Sequence, residues 1–182
     1  MNFNKHSNLN GLHAPFAASQ SAWLRYSDEK AMEVYRNKRA AEMGTRLHEW
    51  AAETIKLGIK QPKSKKTLSL NVNDAIGFKM EPEVVLFYSK YFFGTADAIC
   101  FRNGMLRIHD LKTGNSGHVE QLEVYAALFC LEYKIKPGEI DIELRLYKND
   151  EVQVYNPTAA DILPIMDKIV HLNKLLESYE EG

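Results

Sequence analysis

The segment FFGTADAICFRNGMLRIHDLKTG, residues 92–114, constrains this chain most. Apolar residues alternate on both sides of Arg102-Asn103-Gly104, which predicts two strands joined by a tight turn. Successive strand side chains point to opposite faces. Asp97 is therefore expected on the face of Ile99 and Phe101, and Asp110 and Lys112 on that of Leu106 and Ile108. The charges continue apolar faces, and an unpaired charge taken out of water is costly. Two resolutions are open. The strand ends fray and expose a solvated ion pair, or a cation sits between the carboxylates.

The flanking sequence supplies the rest of a fold. An Asn- and Gly-rich arm leads into a short helix ending near Tyr26, and Ser27-Asp28 caps a long helix closed by Gly58. KQPKSKK, residues 60–66, is a basic, proline-broken loop, and the alternation in LSLNV predicts a small strand. MEPEVVLFYS reads as a strand, HVEQLEVYAALFCLEYKI as a helix, and IDIELRLYK and VQVYN as a hairpin around Asn149-Asp150. A last helix runs from Pro157 to about Tyr179. This order predicts an α/β fold with a mixed central β-sheet flanked by helices. One domain over 1–182 is expected, with an arm and short helix over 1–27, a core over 28–148, and a C-terminal strand and helix over 149–182.

Composition excludes some chemistries. A formal net charge of -1 provides no global basic field, so any nucleic-acid contact must rest on a local patch. Cys100 and Cys130 fall in apolar stretches and form no C-x-x-C pair, which suits buried thiols in a reducing compartment. MNFNKHSNLNG lacks an apolar signal core and no run is long enough to span a bilayer, so a cytoplasmic location without membrane association is expected.

Two helices add polar residues beside the hairpin. His48 lies among small residues in GTRLHEWAAE, and taken alone a histidine there reads more readily as a core or surface residue with a hydrogen-bond partner than as a ligand. Gln121 and Tyr125 are spaced i, i+4 and share a helical face. Their helix follows directly on Lys112-Thr113-Gly114, which places its first turn next to the carboxylates.

The ordered set GTRLH (44–48), GTAD (94–97), DLKTG (110–114) and QLEVY (121–125) resembles the PD-(D/E)XK nucleases, in particular their RecB-like and lambda-exonuclease-like branch. The resemblance covers residues 44–130. It implies a restriction-endonuclease-like core and a divalent-metal-dependent deoxyribonuclease. Asp97, Asp110, Lys112, Gln121 and Tyr125 would be its catalytic residues. His48, Asp97, Asp110 and the backbone carbonyl of Leu111 would hold Mg²⁺ or Mn²⁺. Hard carboxylate oxygens suit such ions, and an imidazole favours Mn²⁺. Many members carry an iron–sulfur cluster cysteine near the N-terminal helix. Serine stands in that region here, so no cluster is expected.

The implied activity is exonucleolytic hydrolysis of DNA, of the kind found in phages and in bacterial recombination, repair or degradation. Action on DNA ends or single strands would then need an oligomeric ring or a recombination partner protein. The alternatives are a structure-selective endonuclease on the same fold and a nuclease-like module that binds DNA or protein without cutting. Arg46, Lys63, Lys65, Lys66, Thr113 and Ser116 are the candidate DNA contacts. Trp23, Trp50 and Tyr91-Phe92-Phe93 either stack on unpaired bases or fill the core. Glu81 or Glu83 either joins the site or starts an exposed strand.

Overall fold

The computed structural model describes residues 14–114 and 118–180. Contacts divide the chain into two compact units, Met1–Met43 and Gly44–Gly182. In the first, a 3-10 helix over Ala18–Arg25 is held by the Trp23 indole, which donates to the Ala17 carbonyl at 2.9 Å and meets Phe16 edge to face. Helix α1 (Asp28–Leu57) starts here, with the Ser27 hydroxyl accepting from the Lys30 N–H at 3.3 Å.

The second unit is an α/β domain. Its elements are the end of α1, then α2 (Thr67–Gly77), β1 (Glu81–Ser89), β2 (Phe92–Arg102), β3 (Met105–Leu111), α3 (Val119–Tyr133), β4 (Asp141–Lys148), β5 (Glu151–Tyr155) and α4 (Ala159–Glu180). The sheet order is β1-β2-β3-β4-β5, antiparallel except for the parallel β3–β4 pair that α3 connects. One face packs Leu106, Ile108, Leu144 and Leu146 against α3 and α4. The other packs Ala98, Cys100, Leu111 and Tyr147 against α1 and α2. Both cysteines are buried free thiols. Both hairpins turn through paired left-handed residues, Asn103-Gly104 and Asn149-Asp150, as tight two-residue turns require. Among the described residues no helix is long and apolar enough to cross a membrane.

One expected element is different. LSLNV lies in α2 and not in a strand. Leu68, Leu70 and Val72 alternate, but Leu68, Val72, Ala75 and Ile76 also follow helical spacing, and five residues cannot separate the two periods. What decides is a distant cap. Asp150, from the β4–β5 turn, accepts from the Thr67 N–H at 2.9 Å and from the Lys66 ammonium at 2.9 Å. Asp150→Gly removes this carboxylate while tolerating the turn's left-handed backbone. It is expected to lower Tm by about 2–4 °C in a thermal melt, and an unchanged Tm would show that the cap is idle.

Candidate active site

The sheet opens where the acidic residues lie. β2 and β3 pair from Arg102↔Met105 to Ala98↔His109, whereas β3 stays with β4 as far as Leu111↔Tyr147. Beyond His109, β3 has lost β2 on one edge. The Asp97 side chain fills that gap, its Oδ2 accepting from the Leu111 N–H at 2.7 Å. A strand residue's N–H and C=O leave on the same edge. By that geometry the Leu111 carbonyl leaves on the Asp97 edge as well.

The strict alternation expected through Asp97 is broken. Ala98 and Cys100 pack under α1 and α2, and Ile99 on the α3 side, but Ala96 also packs on the α3 side. Opposite this reversal, Glu83 of β1 is left-handed, with φ 53°. Asp97 therefore reaches both β3 and α1, where His48 Nδ1 lies 3.3 Å from Asp97 Oδ1. This contact holds His48 above its usual pKa, against the opposing effect of burial.

Asp110 is 2 % exposed. Burial, with Asp97 second, raises its carboxyl above the usual range, and the Lys112 ammonium opposes the rise. Lys112 Nζ donates to Asp110 Oδ1 at 3.2 Å. It also lies 3.0 Å from Oδ2, but off the line of a hydrogen bond, so Oδ2 accepts none. Lys112 donates in turn to Gln121 Oε1 at 2.8 Å, and Gln121 Nε2 to the Tyr125 hydroxyl at 3.1 Å. The Tyr125 ring crosses β2 where a Cβ on Gly94 would meet its Cε1 at 2.8 Å. A Cβ on Gly44 would likewise meet Thr113 Oγ1 at 2.8 Å. The glycines of GTAD and GTRLH are thus spaces that let α3 and the DLKTG strand end close on the site.

The residues expected at the centre form two strings of contacts, His48–Asp97–Leu111 and Asp110–Lys112–Gln121–Tyr125, joined through the backbone of Asp110-Leu111-Lys112. Glu83 joins them electrostatically. Burial first, then the Asp97 charge, pushes its carboxyl up. Among the described residues no three of His, Cys, Asp and Glu stand as a ready metal cage. His48 Nδ1 and Asp97 Oδ1 face each other, and Asp97 Oδ2 accepts from the Leu111 N–H. The donor set nevertheless fits a hard divalent ion. A buried Asp110 oxygen lacks a hydrogen bond, and the cluster carries two or three carboxylates against one ammonium.

The expected DNA contacts separate. Lys66 and Thr113 line a cleft of about 310 Å³ together with the catalytic candidate Lys112 and with Leu47, Leu68 and Leu111. Arg46, Lys63 and Lys65 are exposed and, among the described residues, make no ion pair with the carboxylates. Ser116 lies outside the described residues. A larger cavity of about 510 Å³, between the end of α3 and α4, contains none of the candidate residues.

Sequence reasoning did not find the polar cluster behind β3. His109 Nδ1 lies 3.2 Å from the Tyr147 hydroxyl, which donates to Asp74 Oδ2 at 2.8 Å. Arg145 Nη1 reaches the same oxygen at 3.2 Å, and Arg107 and Arg145 both bond Glu143. The only available signal was Arg107 and His109 alternating with Leu106 and Ile108. Comparison of the chain with protein-family models, curated proteins and solved structures returned no match.

Proposed function

We propose that this chain is a divalent-metal-dependent deoxyribonuclease with a PD-(D/E)XK, restriction-endonuclease-like core, acting on DNA ends or single strands as an exonuclease. The observation that carries the reading is Lys112 held between Asp110 and Gln121 at the edge where β2 leaves β3, with Asp97 filling the opening. A bare ion pair would not need an amide and a phenol in series behind its ammonium.

Asp97, Asp110, the Leu111 carbonyl and His48 are the groups that would hold the ion. When bound, Mg²⁺ or Mn²⁺ supplies Lewis-acid activation of water and neutralisation of phosphate charge. Lys112 orients the attacking water and stabilises negative charge developing on the phosphoryl oxygens. Gln121 fixes the Lys112 ammonium through its Oε1, and Tyr125 fixes Gln121. Tyr125 is kept as a neutral phenol, its pKa raised first by burial. It can therefore donate to a phosphate or sugar oxygen.

The test uses end-labelled linear single- and double-stranded DNA beside a closed circle, with Mn²⁺, Mg²⁺ or EDTA. Linear DNA is expected to be degraded only with metal, and circles to survive. Cut circles would instead establish an endonuclease. No cleavage under any metal would sink the reading. Millimolar Mn²⁺ is also expected to raise Tm by about 5 °C, because it relieves the carboxylate cluster in the folded state only.

A further inference from the structure

The run Tyr91-Phe92-Phe93 is divided between faces. Phe92 packs into the core on the α3 side, whereas Phe93 is 62 % exposed. Its cross-strand partner is Phe87, itself 48 % exposed, with ring centroids 6.4 Å apart and an interplanar angle of 30°. Val84, Leu86 and Tyr88 face α3, so Phe87 and Val85 face the other way, towards the side of the sheet that α1 and α2 cover farther along. Two exposed aromatic rings thus stand side by side, Phe93 on the strand that carries Asp97 and Phe87 on its neighbour β1. Phe93 lies four positions before Asp97, about 13 Å along the strand, a reach of a few nucleotides.

We propose that Phe93 and Phe87 form a stacking platform for unpaired nucleobases of the DNA strand whose phosphate lies at Asp97 and Asp110. This rests on the nuclease reading above and specifies its substrate as a single strand or a frayed end. Base faces stack on aromatic rings without regard to sequence, which suits a degradative enzyme. A second copy of the chain fits the patch less well. Val85, Phe87 and Phe93 offer a small part of the roughly 800 Å² per partner of a stable interface. Pairing of another strand to the β1 edge is also obstructed, because the Phe87 N–H already donates to Glu132 Oε2 at 2.8 Å.

The test compares the full chain with Phe93→Ala, Phe87→Ala, the double variant and Phe93→Tyr. Fluorescence anisotropy in Ca²⁺ reads binding of a labelled oligothymidylate and of a blunt duplex of equal length. Cleavage in Mn²⁺ and size-exclusion chromatography run in parallel. Each alanine variant is expected to bind the single strand about tenfold more weakly. Duplex affinity should change less than twofold, and Phe93→Tyr should match the parent. If the alanine variants bind the single strand like the parent while the parent still cuts DNA, the platform is wrong and the nuclease reading survives. Equal losses on duplex, or a parent that binds neither probe, overturn the platform. A parent dimer that the double variant splits overturns it also, in favour of an interface between copies. If binding depends on both phenylalanines but nothing is cut, the platform stands and the nuclease reading fails.

Discussion

Cleavage by the Lys112→Arg protein should fall about a thousandfold below the parent, a loss of about 4 kcal/mol of transition-state stabilisation. The substitution keeps a positive charge beside Asp110, so it separates chemistry from folding. Removing the charge would leave a carboxylate that is 2 % exposed without a counter-ion, and such losses destabilise on their own account. Arginine cannot reproduce the contact geometry. Lys112 places one compact ammonium 3.0 Å from Asp110 Oδ2 and 2.8 Å from Gln121 Oε1. A planar guanidinium is larger and spreads its charge over a rigid fork. The measurement is a single-turnover rate on linear DNA in saturating Mn²⁺, with Tm recorded alongside. Gln121→Ala is expected to reduce the rate by a smaller factor, because it frees the ammonium without removing it. A Lys112→Arg rate within tenfold of the parent would show that any cation suffices there, and the assigned role would fall.

The hairpin was legible because its alternation and its Asn-Gly turn are local, and the i, i+4 spacing placed Gln121 beside Tyr125 for the same reason. The reversal of faces at Asp97 was not legible. It depends on Glu83 of another strand adopting a left-handed conformation and on β2 leaving β3 after Ala98. α2 departs from the expected strand because the alternation there is short and its cap, Asp150, arrives from more than eighty residues away. Lys66 looked like one of four equivalent loop lysines, but the same Asp150 holds it. Charge runs in a sequence carry no record of which cation a folded neighbour will claim. The division of Phe92 and Phe93 between faces needed only the strand period. The choice of which of the two stays exposed needed the helix that covers one face.

The cluster behind β3 sets how the protein should respond to acid. The Tyr147 O–H donates to Asp74, so the His109 Nδ1–H donates to the Tyr147 oxygen and Nε2 carries a lone pair. That Nε2 is buried and meets no donor or acceptor. A proton placed there would be an unpaired buried donor near two guanidinium groups that flank Phe78, Arg107 at 4.5 Å and Arg145 at 4.7 Å from its ring. Burial above all, then Arg145 and Arg107, accordingly lowers the His109 pKa from 6.5 to about 3. Between those values the unfolded chain binds a proton that the folded chain refuses, so stability rises with pH across the window. It is present in full above about 6.5 and is lost as pH falls towards 3. From pH 6.5 to 4.5 this one group should cost on the order of 2–3 kcal/mol. His109→Gln keeps a donor for Tyr147 but cannot titrate. Urea unfolding of the metal-free protein at several pH values should show a shallower acid slope for the variant, whatever its stability at neutral pH. Other groups titrate in both proteins and cancel in the difference, including His48, whose raised pKa gives the opposite slope. Parallel slopes for parent and variant would mean that His109 is protonated in the folded state, and that the Tyr147–Asp74 arrangement is not the one that holds it.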